Sequence, residues 1–221
     1  MNPLPSPAKR TRRKDARPGE LLAAALDLFV EKGYASTRVE DVAHRAQVSK
    51  GTLFLYFPSK EELFKAVVRH HITAHLGEWD AELTRFDGSS ADAVHLVARR
   101  WWERIGDTQA SGITKLVMSE AAHFPEIARF YQSEVIEPGM DLLRRLLQRG
   151  VDRGEFSRDI HLDHAIHGFL APMMFLMLWK HSLAPCTQGG QQIEPVAFIE
   201  TQIQLLLTGL LKRPSSNTNT P

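Results

Sequence analysis

Residues 37–60, TRVEDVAHRAQVSKGTLFLYFPSK, constrain the fold more than any other part of this chain, because they write three helix starts and two short helices into one brief span. Thr37 with Glu40 has the spacing of a capping box, in which the hydroxyl takes a free N–H and the carboxylate returns the bond. Ser49 is placed to cap a second helix, and Ser59 with Glu62 repeats the box for a third. Val39, Val42, Ala43 and Ala46 fall on one helical face, with Val48 at the turn. Helices over about 38–45 and 49–56, joined by a tight turn, make a helix-turn-helix. The second opens with Lys50-Gly51-Thr52, small and cationic at the end where such a helix meets base edges in a major groove. DNA binding is the expectation.

At those residues the chain resembles the tetracycline-repressor (TetR) family of bacterial transcription regulators. The resemblance runs from about Arg17 to Val68, through LLAAALDLFVEKGY, STRVEDVAHRAQVSKGTLFLYF and PSKEELF. Gln47 stands in the turn where the family usually has Gly, so a positive φ there costs roughly 1 kcal/mol. Phe54 stands where a Tyr is usual, which removes a hydroxyl within reach of phosphate. The resemblance implies an all-α fold: an N-terminal three-helix DNA-binding domain, then a helical ligand-binding and dimerisation domain. It also implies backbone contacts to DNA from Thr37 and Arg38.

The residue chemistry places further contacts on the second short helix. Gly51 weakens a helix but lets backbone approach DNA closely. Lys50 and Thr52 lie at its exposed end, Tyr56 offers a hydroxyl, and Lys60 sits with free N–H groups at a helix start, a natural phosphate site. Leu53 and Phe57 read as core. Phe54 and Leu55 stay open between core and contact with a thymine methyl.

Net charge is only +1 over 221 residues, yet Lys9, Arg10, Arg12, Arg13, Lys14 and Arg17 crowd the first seventeen against Asp15 alone. Such an arm either follows phosphates and a minor groove or solubilises the chain, as Pro3, Pro5 and Pro7 also suit. The single Cys186 excludes an internal disulfide and fits a reducing, cytoplasmic setting. Asp27 interrupts the apolar run 21–30, which therefore reads as an amphipathic helix with Leu22, Ala25, Leu26 and Phe29 inward, and not as a signal peptide. The apolar run 166–179 is too short to span a bilayer and reads as a buried helix.

Helices are expected at about 18–32, 38–45, 49–56, 60–83, 91–106, 113–122, 125–154, 163–182 and 195–211. Pro138-Gly139 must kink or break the 125–154 stretch. The organisation is a disordered basic arm (1–16), a helix-turn-helix domain (17–62), an effector-binding and dimerisation domain (63–212), and a disordered Ser/Asn/Thr/Pro tail (213–221).

In the second domain Trp101, Trp102, Met118, Phe124, Met173, Met174 and Met177 are candidates to line an apolar small-molecule pocket, with only one of the adjacent tryptophans facing it. Ile199, Ile203, Leu206 and Leu210 form a stripe on the last helix, and Ile166 and Leu170 continue it on the helix before. Paired across a two-fold axis these two helices build a homodimer facing a roughly palindromic operator. His71 with His75, and His161, His164 and His167 near Asp163, carry no metal-binding motif, so neither metal nor cofactor is expected. No carboxylate pair, nucleophile motif or phosphate loop supports catalysis. The expected function is a DNA-binding regulator, a repressor released by an apolar or amphipathic effector. An activator or ligand-independent regulator of the same fold is the second reading; a helical metal-dependent enzyme using the histidines is the third.

Overall fold

The computed structural model describes residues 17–187 and 193–211, so the expected basic arm and C-terminal tail lie outside the described residues. Nine helices account for nearly all of it. Helices α1 (Arg17–Ser36), α2 (Val39–Arg45) and α3 (Lys50–Tyr56) come first. Helix α4 (60–85) joins Lys60–Val68 to Ala74–Arg85 through a π turn at Arg69–Thr73. Helix α5 (90–106) ends in a π turn at Trp102–Gly106, and α6 is Ser111–Glu120. Helix α7 (125–152) carries a π turn at Gln132–Ile136, α8 is Leu162–Cys186 with a π turn at Trp179–Leu183, and α9 is Pro195–Leu210. Among the described residues the sole β feature is an isolated antiparallel bridge between Phe156 and Leu211.

Helix α1 is the hub of the first domain. Its predicted inward face is buried, and so are Leu21, Ala24 and Leu28. The face is wider than one stripe because α1 is packed by α2 on one side and by α4 and α6 on others. Gly33, at φ +83°, breaks its regular path, and Tyr34 then turns inward to pack on Phe29 and Phe64.

The turn between α2 and α3 follows from three residues. Gln47 adopts φ 54°, Val48 N–H donates to Ala43 O at 2.9 Å, and Gln47 N–H donates to His44 O at 3.0 Å, a Schellman cap. Ser49 Oγ then accepts Thr52 N–H at 3.0 Å to start α3. Leu53, fully buried, pins that helix to the core.

Pro138 does not break α7. The wide turn at Gln132–Ile136 absorbs it, and the Glu134 carbonyl, deprived of the N–H that residue 138 would supply, accepts the Thr73 hydroxyl at 3.4 Å. Arg69 clamps the same turn with two bonds to the Glu134 carboxylate, at 2.9 and 2.6 Å. Two wide turns, one on α4 and one on α7, are thus held face to face.

The apolar run expected at 166–179 sits in a longer helix: Leu162–Cys186 spans 25 residues and is apolar enough by composition to cross a membrane. It packs on α6, α7 and α9, with Ile166, Phe169, Met173 and Leu176 buried there.

Candidate functional site

Helix α3 presents its outer surface to solvent with few intramolecular obligations. Lys50 is exposed and pairs with Glu40 at 2.5 Å, an ion pair that holds the Glu40 carboxyl below its usual range and that exposure makes readily exchangeable. Lys50 also lies 5.6 Å from the Phe54 ring. A side chain at Gly51 would meet nothing closer than Ser49 Oγ at 3.8 Å, so the fold does not require glycine there. Thr52 shares a 2.8 Å hydroxyl contact with Ser49. Leu55 is 84% exposed and Phe54 39%, while Tyr56 is half-buried. Two apolar side chains held out beside an uncovered glycine are unfavourable in water. They form a surface suited to close contact with base methyls and sugars. Arg38, exposed as N-cap of α2, lies next to it in the motif.

Two residues expected at this surface are engaged by the fold in the isolated chain. Thr37 is 1% exposed, and its hydroxyl lies 2.6 Å from Gly33 O and 3.1 Å from Leu28 O. The expected Thr37–Glu40 box does not form; Arg38 is the N-cap and makes no side-chain cap bond. The carbonyls orphaned where α1 breaks at Gly33 compete successfully for the hydroxyl. The Lys60 ammonium donates to Tyr34 O, Ala35 O and Thr37 O at 2.9, 3.2 and 3.2 Å and sits 4.4 Å from the Tyr34 ring. Burial lowers its pKa, opposed by Glu120. In the isolated chain the Lys60 ammonium therefore clamps the α1–α2 connection. Ser59 caps α4 as expected, accepting Glu62 N–H at 3.1 Å, but the returning half of the expected box is missing among the described hydrogen bonds, the Glu62 carboxylate accepting Lys65 Nζ at 3.0 Å.

The same connection is gripped from the second domain. Glu120, at the end of α6, accepts Tyr34 N–H at 2.8 Å and Ala35 N–H at 3.0 Å. A Cβ at Gly33 would lie 2.5 Å from Glu120 Oε1, so the positive φ and the missing side chain both admit the carboxylate. Phe124 meets Tyr34 edge-on at 5.0 Å.

A cavity of about 160 Å³ opens among α4, α5, α6, α7 and α8, lined by Trp79, Trp101, Ile105, Thr114, Tyr131, Met140, Met174 and Met177 among others. Its lining contains no charged side chain. Trp101, Met174 and Met177 of the candidate pocket residues face it. The others do not: Met118 is 50% exposed, Phe124 belongs to the contact with Tyr34, and Met173 is buried in the core. Trp102 faces a separate cleft of about 250 Å³ between α5 and α9, with His95, Arg99, Glu103 and Glu200.

These two surfaces, a helix-turn-helix and a cavity in a second helical domain, match known proteins. The pattern described as "Bacterial regulatory proteins, tetR family" covers residues 21–67, and "Tetracyclin repressor-like, C-terminal domain" covers residues 87–188. The chain is 30% identical over 162 residues to the HTH-type transcriptional repressor KstR2 of Rhodococcus jostii, spanning 73% of this chain and 78% of that one. The chain belongs to the tetR family. Like its relatives, this TetR-family member is a DNA-binding transcriptional regulator. With the HTH-type transcriptional regulator RutR of Escherichia coli the chain is 49% identical over 61 residues, spanning 28% of this chain and 29% of that one. Among solved structures, FadR from Bacillus subtilis in complex with stearoyl-CoA shares the fold at TM-score 0.70 and 17% identity, over 86% of this chain and 97% of that one.

The TetR-family fold also relocates the apolar face available to a second copy. Ile166, Ile199, Ile203 and Leu210 of the expected interface are each at most 5% exposed within one chain, Leu170 lines the cavity, and Leu206 packs beside Gly168. They are core. Outward-facing apolar positions on the same helices are Phe175, Leu178 and Leu183 on α8 and Val196 and Leu205 on α9. Phe175 and Phe198 meet at 5.8 Å and join the two helices into one face.

The histidines make no metal cluster among the described residues. His161 and His164 stack at 3.8 Å, and His71 is half-buried with Nε2 lacking a partner, its pKa lowered to about 4 chiefly by burial.

Proposed function

We propose that this regulator is a homodimeric repressor whose hold on a roughly palindromic operator is released when an apolar or amphipathic molecule enters the second-domain cavity. Its role is binding rather than catalysis, in the cytoplasm. Arg38, Lys50, Gly51, Thr52, Phe54, Leu55 and Tyr56 form the DNA surface. Phe175, Leu178, Leu183, Val196 and Leu205 form the two-fold interface, pairing α8 and α9 of each copy into a four-helix contact.

The observation that carries the ligand reading is the path from cavity to DNA-binding domain. Thr114 lines the cavity and Glu120 grips Tyr34 and Ala35 from the same helix α6, six residues or about 9 Å further on. A ligand that displaces α6 shifts the α1–α2 connection, and with it the placement of α3. Helix α4 offers a parallel path, since Ile72, Leu76 and Trp79 line the cavity on the helix that Lys60 begins. Release requires the ligand to bind the non-operator conformation more tightly; a hundredfold preference corresponds to about 2.7 kcal/mol. Relatives with names such as transcriptional repressor KstR2, and the stearoyl-CoA complex of FadR, support a repressor with an apolar effector. Anisotropy of a labelled promoter duplex, titrated with protein across a panel of hydrophobic compounds, tests this. Compounds that fill the cavity and leave operator affinity unchanged at saturation defeat the release mechanism.

A further inference from the structure

The lining of the second-domain cavity contains one polar device. Tyr131 OH and Thr114 Oγ1 lie 2.8 Å apart, and both residues line the cavity. Two hydroxyls bring two O–H donors, but the contact between them uses one. Among the described hydrogen bonds neither oxygen has a second partner, and Thr114 does not bond back to its own helix as Thr84 and Thr201 do on theirs. One O–H is therefore left over beside an apolar cavity. Tyr131 is 5% exposed, and burial pushes its phenol up to about 12, so the group stays a neutral donor throughout the physiological range. That O–H is available to donate to a ligand oxygen in the cavity.

The remaining lining fixes the rest of the ligand. No Lys, Arg, His, Asp or Glu borders the cavity, so a carboxylate or ammonium would enter unpaired and lose its hydration. Trp79, Trp101 and Phe169 supply flat apolar walls, and Met140, Met174 and Met177 supply adjustable ones. At about 160 Å³ the space resembles the roughly 150 Å³ apolar cavities that take one benzene ring.

We propose that the cavity binds an uncharged, compact cyclic molecule bearing one hydrogen-bond-accepting oxygen, and that the Thr114–Tyr131 hydroxyl pair selects for that oxygen. The inference rests on the cavity being the effector site. It adds a ligand class and two specificity-determining residues.

Three probes separate the alternatives in the full-length protein, with binding read by tryptophan fluorescence and calorimetry. Acetophenone has the ring and the acceptor, ethylbenzene has the same shape without the acceptor, and benzoate adds a charge. Acetophenone should bind about fivefold more tightly than ethylbenzene, the factor expected of one net hydrogen bond, and benzoate should not bind at neutral pH. Thr114→Val and Tyr131→Phe singly each leave one hydroxyl and part of the preference. The double variant should bind both neutral probes equally. Gly139→Leu projects into the cavity from a position where a Cβ meets no atom within 4 Å, so it should fold normally and bind none of the probes. Equal affinity of the two neutral probes in the unaltered protein, or a preference that survives the double variant, overturns the hydroxyl selection while leaving the effector cavity in place. Benzoate binding as well as acetophenone overturns the neutral-ligand class. Failure of all three probes to bind, or binding undiminished in Gly139→Leu, removes the cavity reading itself.

Discussion

Replacing Glu120 tests how the two domains are joined. Its carboxylate accepts two backbone N–H groups, from Tyr34 at 2.8 Å and Ala35 at 3.0 Å. Hydrogen bonds to an ionised acceptor contribute about 1.5–3 kcal/mol each when sheltered. Glu120 is only half-buried, which lowers the value, so the pair is worth about 2 kcal/mol. Glu120→Ala also leaves the N–H of buried Tyr34 without an acceptor. For a chain of this size that loss lowers the melting temperature by about 4–8 °C. Glu120→Gln keeps one accepting oxygen but turns an NH2 towards the second N–H, so it should fall between. Differential scanning calorimetry gives the stability, and duplex anisotropy with and without effector gives the coupling. Operator affinity should weaken modestly in Glu120→Ala, and the effector should lose much of its power to release DNA. If Glu120→Ala melts within about 1 °C of the unaltered protein and still responds fully to effector, the grip on Tyr34 and Ala35 carries neither stability nor signal.

Gln47→Gly should stabilise the protein by about 1 kcal/mol in urea denaturation, because glycine adopts the observed φ of 54° without strain; an unchanged or lower midpoint contradicts the Schellman cap. Lys60→Ala should lower the melting temperature, since three carbonyls lose their donor, while the salt slope of DNA binding changes by less than the one unit expected for a lost phosphate contact. His71 has a folded pKa near 4 against 6.5 for the free side chain, so the unfolded chain binds the extra proton between those values and stability falls as pH drops from about 6.5 to 4. Partial exposure limits the effect to about 1 kcal/mol, and His71→Gln should flatten that part of a melting-temperature against pH profile.

The sequence carried the local structure well, because capping and turn chemistry act between residues three or four apart. Ser49, Ser59 and the positive φ at Gln47 all take their expected roles. Expectations failed where a partner distant in the chain decides the outcome. Thr37 has a cap's spacing, yet carbonyls from Leu28 and Gly33 claim its hydroxyl. Lys60 stands where a phosphate contact is natural, but folding brings three carbonyls from the α1–α2 connection within reach. The stripe Ile199–Ile203–Leu210 has the right period for an interface and equally for a core, and periodicity alone does not say which side of a helix meets its own domain. Pro138 announced a kink or break, and the helix instead continues through a wide turn that Thr73 and Arg69 contact from another helix. For Glu120 the available signal was weak: an acidic residue ending an apolar helix, with a glycine far upstream whose missing side chain makes the room.

The most direct test of the DNA surface is Gly51→Leu, because fold and function pull in opposite directions there. Within the chain the position is exposed, the nearest atom to an added Cβ is Ser49 Oγ at 3.8 Å, and replacing a helical glycine stabilises by about 0.5–1 kcal/mol. Against DNA the added side chain occupies the space through which the backbone of α3 must approach the groove. Melting temperature and operator anisotropy should be measured on one preparation, with the oligomeric state checked alongside. An unchanged or raised melting temperature together with loss of operator binding is the predicted result. Operator affinity equal to that of the unaltered protein would contradict the placement of α3 at the DNA.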